Sequence, residues 1–444
     1  IDLSASTSDL VIRGASSGVD LGTAAHDFNT ITISSTGSVT INDTDDLTIG
    51  TVDGLSGIGA GTSQIDVTAG GLLTVSQTVA NSTASAISLA GVGINLDNGA
   101  SSAITNIGGS GTITLDAGTG TFTMSASSTV ITATGDIIVA ADGASLAGQV
   151  QTTGVGEIKI AADTANTAIS LGAGASTGLA LTDAELNTLE AQIVRIGDGT
   201  GAAPYAGATS GAITFAGAFA ADAAFGTNFL ELQTTSTVTG TAGVIDLSTS
   251  TSDLAVRAGG AVNLGTAAHD FNTVAITTGA TASAVTVNDT NGLVVGTVDT
   301  LNGIATGAGQ VDVVAGGALD VAHQVTNTGA SDINLTGVGV DLSTANSDVS
   351  SGSGNITIDA NTGNFNMFAG STVITTLNDI TISADTASLA GQIQTTTATG
   401  DITIAADTAA TAINLGVGAA AGLALTDAEL NTLEANNVRI GTVA

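Results

Sequence analysis

The sequence predicts an all-β chain wound as a parallel β-helix, a solenoid rod with short helical inserts. Three observations predict it: a composition of small and β-branched residues, apolar–polar alternation in strand-sized pieces, and a long internal duplication.

The composition decides what kind of core is available. The chain has 444 residues with 60 Gly, one Pro, no Cys and no Trp, and aromatics make up only 2%. Hydrophobic residues reach 43%, too many for a disordered chain, so the sequence should fold. Without large side chains it cannot fill a thick globular core, whereas thin β layers joined by tight turns suit it. The 39 acidic residues against 5 basic ones give a net charge of -34. Binding a phosphate backbone needs a cationic footprint, and Arg13, Lys159, Arg195, Arg257 and Arg439 are too few and too scattered. Nucleic acid is therefore not an expected partner. No run of about 18 residues is free of polar side chains, so no membrane insertion is expected either.

The strands come as triplets: Ile31-Thr32-Ile33, Val39-Thr40-Ile41, Leu47-Thr48-Ile49, Ile113-Thr114-Leu115 and Ile158-Lys159-Ile160. Such brief period-two alternation means short strands with one buried face. Between them lie "STGS", "NDTDD", "TAGG" and "DAGTG", where Gly, Asn and Asp supply turn conformations. One segment reads helically. In "LTDAELNTLEA", Thr182 is a cap, Glu185 holds the capping-box position, and Leu181, Leu186 and Leu189 are apolar. Its expected form is a helical turn leaving the stack, with the leucines buried against the coils.

The duplication fixes the architecture. "GLALTDAELNTLEA" at Gly178 recurs letter for letter at Gly422, so Leu425, Thr426, Glu429, Leu430 and Leu433 repeat the insert. "IDLSASTSDL" at Ile1 returns as "IDLSTSTSDL" at Ile245, and "LGTAAHDFNT" at Leu21 returns at Leu264. The predicted organisation is a first solenoid copy at 1–197, unique connecting coils at 198–244 holding Pro204 and Tyr205, and a second copy at 245–444. The offsets slip by one to three residues between blocks. A stack of coils tolerates this, because each coil touches only its neighbours. With coils of about 20 to 24 residues, roughly 20 of them at about 4.8 Å would form a rod on the order of 100 Å long.

The short "GxITI"-like strands, the "DLxIxG" turns and the insert followed by "VRIG" resemble the haemagglutination-type repeats of filamentous-haemagglutinin-like bacterial surface exoproteins. The resemblance implies a right-handed parallel β-helix in an extracellular filament or adhesin at the cell surface. Its partners would be further copies of itself end to end, surface glycans or other cells, and no catalysis is expected.

Parallel β-helices include polysaccharide-cleaving enzymes, so a Ca²⁺-dependent carbohydrate-binding or -cleaving β-helix is the alternative reading. The basic residues recur at duplicated positions, Arg195 with Arg439 and Arg13 with Arg257, which points to structural pairing with an Asp or turn carbonyls. His26 and His269 sit in duplicated "AAHDFNT" turns, where a Phe plugging the core is the expected purpose. Asp43, Asp45, Asp46 and Asp198 are the carboxylates offered to Ca²⁺. The second copy reads "NDTNG", lacking counterparts of Asp45 and Asp46, so any Ca²⁺ binding is expected to be weak and delocalised. No other cofactor is expected.

Overall fold

The computed structural model describes residues 1–3, 9–97, 99–199, 209–240, 243–250, 252–279, 282–397 and 399–441; Pro204 and Tyr205 lie outside them. The chain divides into two compact units, residues 1–235 and 236–444. Each is a β-solenoid, with about 16 turns in total against the roughly 20 expected.

In unit 1 a typical coil has three short strands, one on each of three parallel sheets. The first sheet stacks Val39, Ile65, Ile87, Ile113, Ile137, Ile158 and Val194 in register, so successive coils consume 26, 22, 26, 24, 21 and 36 residues. The excess over the expected coil length, largest where the helical insert lies, accounts for the smaller number of turns. The second sheet stacks Leu47, Leu73, Ile94 and Phe122, and the third stacks Ile58, Val79, Ile104, Val130, Val150 and Leu189. Inward residues of these triplets are buried, while the Thr, Asn or Asp between them faces outward. The interior is a set of like-on-like aliphatic columns, plugged at intervals by Phe28 and Phe122.

Tight corners let adjacent coils approach. Gly57 has a positive φ of 73°, and a Cβ there would run into the Thr78 carbonyl oxygen of the next coil. Its counterpart Gly303, φ 63°, meets Gln324 in the same way. No side chain fits either place.

Unit 2 repeats this plan. Its first sheet stacks Val285, Val311, Ile333, Ile356, Ile380, Ile402 and Val438. Every strand from Leu10–Ala15 to Ile193–Ile196 has a counterpart, in the same order, from Asp253–Ala258 to Asn437–Ile440. A small antiparallel hairpin that the triplet pattern does not anticipate is also shared: Thr51–Val52 pairs with Leu55–Ser56, and Thr297–Val298 with Leu301–Asn302. Asp53 and Gly54 at its tip both have positive φ, the arrangement that tight hairpins favour.

Candidate functional site

The duplicated insert is the most elaborated part of each unit. Helix α1 (Asp183–Leu186) and helix α2 (Asp427–Leu430) are single turns, both closed by a full capping box. Glu185 Oε2 accepts the Thr182 backbone N–H at 2.8 Å and its hydroxyl at 2.7 Å, while the Glu185 N–H donates back to Thr182 Oγ1 at 3.3 Å. The other oxygen, Oε1, accepts the Leu146 N–H at 2.9 Å, tying the helix to the preceding coil. Glu429 does the same with Thr426 and, at 3.1 Å, with Leu389. Burial pushes the Glu429 carboxyl up, but these donors outweigh it and hold the group below its ordinary value.

Contrary to expectation, the insert does not leave the stack. It forms a coil corner: Leu179–Leu181 leads into α1, Leu189–Glu190 pairs with the third sheet, and Ile193–Ile196 rejoins the first. Leu181, Leu186, Leu189 and Leu425 are buried, as expected. Leu430 and Leu433 are only half-buried. The reason is the following coil. In unit 1, Asp183 Oδ1 accepts the Ala220 N–H at 2.9 Å, and Asn187 exchanges hydrogen bonds with Ala220 and Asp222. No described residue plays that part over α2.

The structure separates the carboxylates offered to Ca²⁺. Asp43 is buried, and its Oδ1 accepts the Phe28 N–H at 2.8 Å while Oδ2 accepts the Asp45 N–H at 3.3 Å. Burial, opposed by these backbone donors and reinforced by the charges of Asp45 and Asp27, raises its pKa to about 6. Asp289 is its counterpart, accepting from the N–H groups of Phe271 at 2.7 Å and Asn291 at 3.0 Å. Asp46 Oδ1 accepts the Leu72 N–H at 2.7 Å, and Asp45 is exposed. Asp198 is buried several coils away, after a strand separated from that of Asp43 by the first-sheet strands at 65, 87, 113, 137 and 157. The four do not converge, and among the described residues no group of three or more His, Cys, Asp or Glu is placed to hold a metal ion.

The histidines serve their turns. His26 lies 5.4 Å from Phe28 and His269 lies 5.2 Å from Phe271, ring centroid to centroid. His269 is fully buried; Nδ1 accepts the Ile245 N–H at 3.0 Å, and burial lowers its pKa to about 4. The cations are clasped by carboxylates. Arg13 reaches Asp53 at 3.1 Å, and Arg257 reaches Asp299 at 3.7 Å and Thr300 at 2.9 Å, so each ties a strand to the hairpin tip. Arg195 forms a fork on Glu157 at 2.8 and 3.2 Å, contacts buried Glu231 and lies 5.4 Å over the Phe229 ring. Lys159 bridges Asp136 and Glu157, both at 3.2 Å. Although burial opposes it, this pairing keeps Glu157 below its ordinary pKa.

Sequence reading did not single out a shallow groove in unit 2 of about 300 Å³, lined by Asp320, Asp341, Asn364 and Asn366. Asp320 and Asp341 are register neighbours on adjacent strands, and Asp320 Oδ1 is shielded from solvent with no hydrogen-bond partner. The signal available in the sequence was the "LDV" and "VDL" pair, whose stacking becomes visible only once the register is known. Comparison with known proteins finds no family model, no curated protein and no solved structure that the chain matches.

Proposed function

We propose that this chain is a structural segment of an extracellular bacterial filament or adhesin, a scaffold without catalysis. The observation that carries the reading is how the charged groups are employed. The five basic residues belong to carboxylate clasps, and Glu185, Asp43 and their duplicates accept backbone N–H groups of the adjoining coil. A general acid or base must instead reach a substrate in a cleft. The resemblance to haemagglutination-type repeats supports the surface location, and a stack of coils with polar outer faces suits contact with glycans, other cells or further copies. Immunogold labelling of the producing cells tests this: label on surface fibres is expected, and label confined to the cell interior overturns it.

The groove at Asp320 and Asp341 favours a second reading, a Ca²⁺-dependent carbohydrate-binding or -cleaving β-helix. Calorimetric titration with CaCl₂ distinguishes the two. Saturable heat abolished by Asp320→Asn would favour the second reading; the scaffold reading expects only weak, unsaturated heat.

A further inference from the structure

The same face of the solenoid occurs twice, covered in unit 1 and, among the described residues, exposed in unit 2. In unit 1, Ile169, Leu171 and Val194 are 1%, 0% and 0% exposed; their counterparts Ile413, Leu415 and Val438 are 39%, 52% and 42% exposed. The local sequences are nearly identical, so the difference lies in the cover. That cover is visible in unit 1. Strand Ile213–Phe215 pairs with Ile169–Leu171, and Phe229–Thr234 pairs with Ile193–Ile196, setting Glu231 opposite Arg195. The groups that receive the cover are all repeated in unit 2. Asp427 and Asn431 stand where Asp183 and Asn187 bind residues 220 and 222, and both are exposed. Arg439 stands where Arg195 faces Glu231, bonds Asp401 at 2.5 Å and keeps 46% of its side chain exposed.

We propose that the face formed by residues 413–440 is a docking surface for a protein segment with the chemistry of residues 209–234. The occupant is a solenoid coil with one strand of the Ile-Thr-Phe kind, to extend Ile413–Leu415, and one carrying Leu-Glu-Leu, to extend Asn437–Ile440. Its glutamate meets Arg439, and its linking backbone meets Asp427 and Asn431. Three features restrict the partner. Parallel edge pairing sets strand direction, alternating apolar residues set the face, and a carboxylate opposite Arg439 sets the register. A basic or uniformly polar strand fails the last two. This deepens the scaffold reading, resting on it only in that both treat coil-on-coil stacking as the means of association. If docking fails, the surface location is still decided separately by labelling on cells.

The experiment uses the full chain and a longer form in which residues 198–235 are repeated directly after Gly441. In the longer form, amide exchange at Val438–Ile440 is expected to slow by roughly 100-fold or more, and trypsin should no longer cut at Arg439. Leu415→Asp in the longer form should abolish both effects while leaving Ile380–Ser383 protected, which separates lost docking from lost folding. Unchanged exchange and cleavage in the longer form would overturn the proposal. So would sedimentation of the original chain as a concentration-dependent oligomer that Val438→Asp dissolves, because the occupant would then be a second copy.

Discussion

Asp43 in unit 1 and His269 in unit 2 are both buried, yet they respond to acid in opposite senses. The folded pKa of Asp43 is about 6 against an ordinary 3.8, so the native state holds the proton more tightly. Its contribution to stability is full below pH 3.8 and is lost as pH rises through about 6. His269 is depressed from 6.5 to about 4, so its contribution is present above pH 6.5 and is lost as pH falls through about 4. Urea titrations of His269→Gln should flatten the acid-side loss of stability between those values. Asp43→Asn keeps an acceptor for the Phe28 N–H without a buried charge, so at pH 7 its midpoint should equal or exceed that of the unaltered chain. Asp43→Ala leaves the donor unsatisfied and should cost about 1–3 kcal/mol. Asp43 also marks what the sequence could not disclose. Its partner is 15 residues away across a coil, so "NDTDD" read as an acidic cluster. The second copy held the clue: it keeps the buried acid as Asp289 and drops the two at 45 and 46.

At the scale of elements, what was legible was what is local. The capping box of α1 spans four residues, and Thr182 and Glu185 occupy the roles their spacing implies. Thr182→Ala should cost about 1 kcal/mol, read from the thermal midpoint. What the spacing could not supply is the second bond of Glu185, to Leu146, because it depends on how coils stack. The pair Leu186 and Leu430 isolates burial from local sequence, since both lie in identical fourteen-residue segments. Leu186→Ala should cost about 2–5 kcal/mol, as for a filled core position, and Leu430→Ala clearly less. Equal losses by denaturant unfolding would contradict the difference in packing.

Across the whole molecule, the duplication made the fold readable, because a repeat constrains architecture more than any single strand does. The triplets gave the buried faces; the register, in which like residues stack on like, emerges only from the strand pairing. The number of turns was overestimated because coils vary from 21 to 36 residues along the first sheet of unit 1, a spread that only pairing reveals. Net charge acts at this scale too. At -34, self-repulsion opposes compaction, so moderate NaCl should raise the melting temperature. Without convergent carboxylates among the described residues, Ca²⁺ should do no more than Mg²⁺ at equal concentration. A calcium-specific rise in melting temperature would contradict that.

The insert also constrains the order in which a unit can assemble. Strand Leu179–Leu181 follows Ile169–Leu171 in the chain but precedes it in the stack, since the earlier strand pairs onward with Ile213–Phe215 while α1 ties back to Leu146. A solenoid growing one coil after another would lay down Ile169–Leu171 before the strand that must sit beneath it exists. Growth therefore has to pause at this point until about ten more residues arrive and slot in behind. Pulse-labelled exchange during refolding should find Ile169–Leu171 protected no earlier than Leu179–Leu181, and Ile413–Leu415 no earlier than Leu423–Leu425. The duplicated segment is thus a punctuation mark in time as well as in space, halting a process that elsewhere could run on from coil to coil.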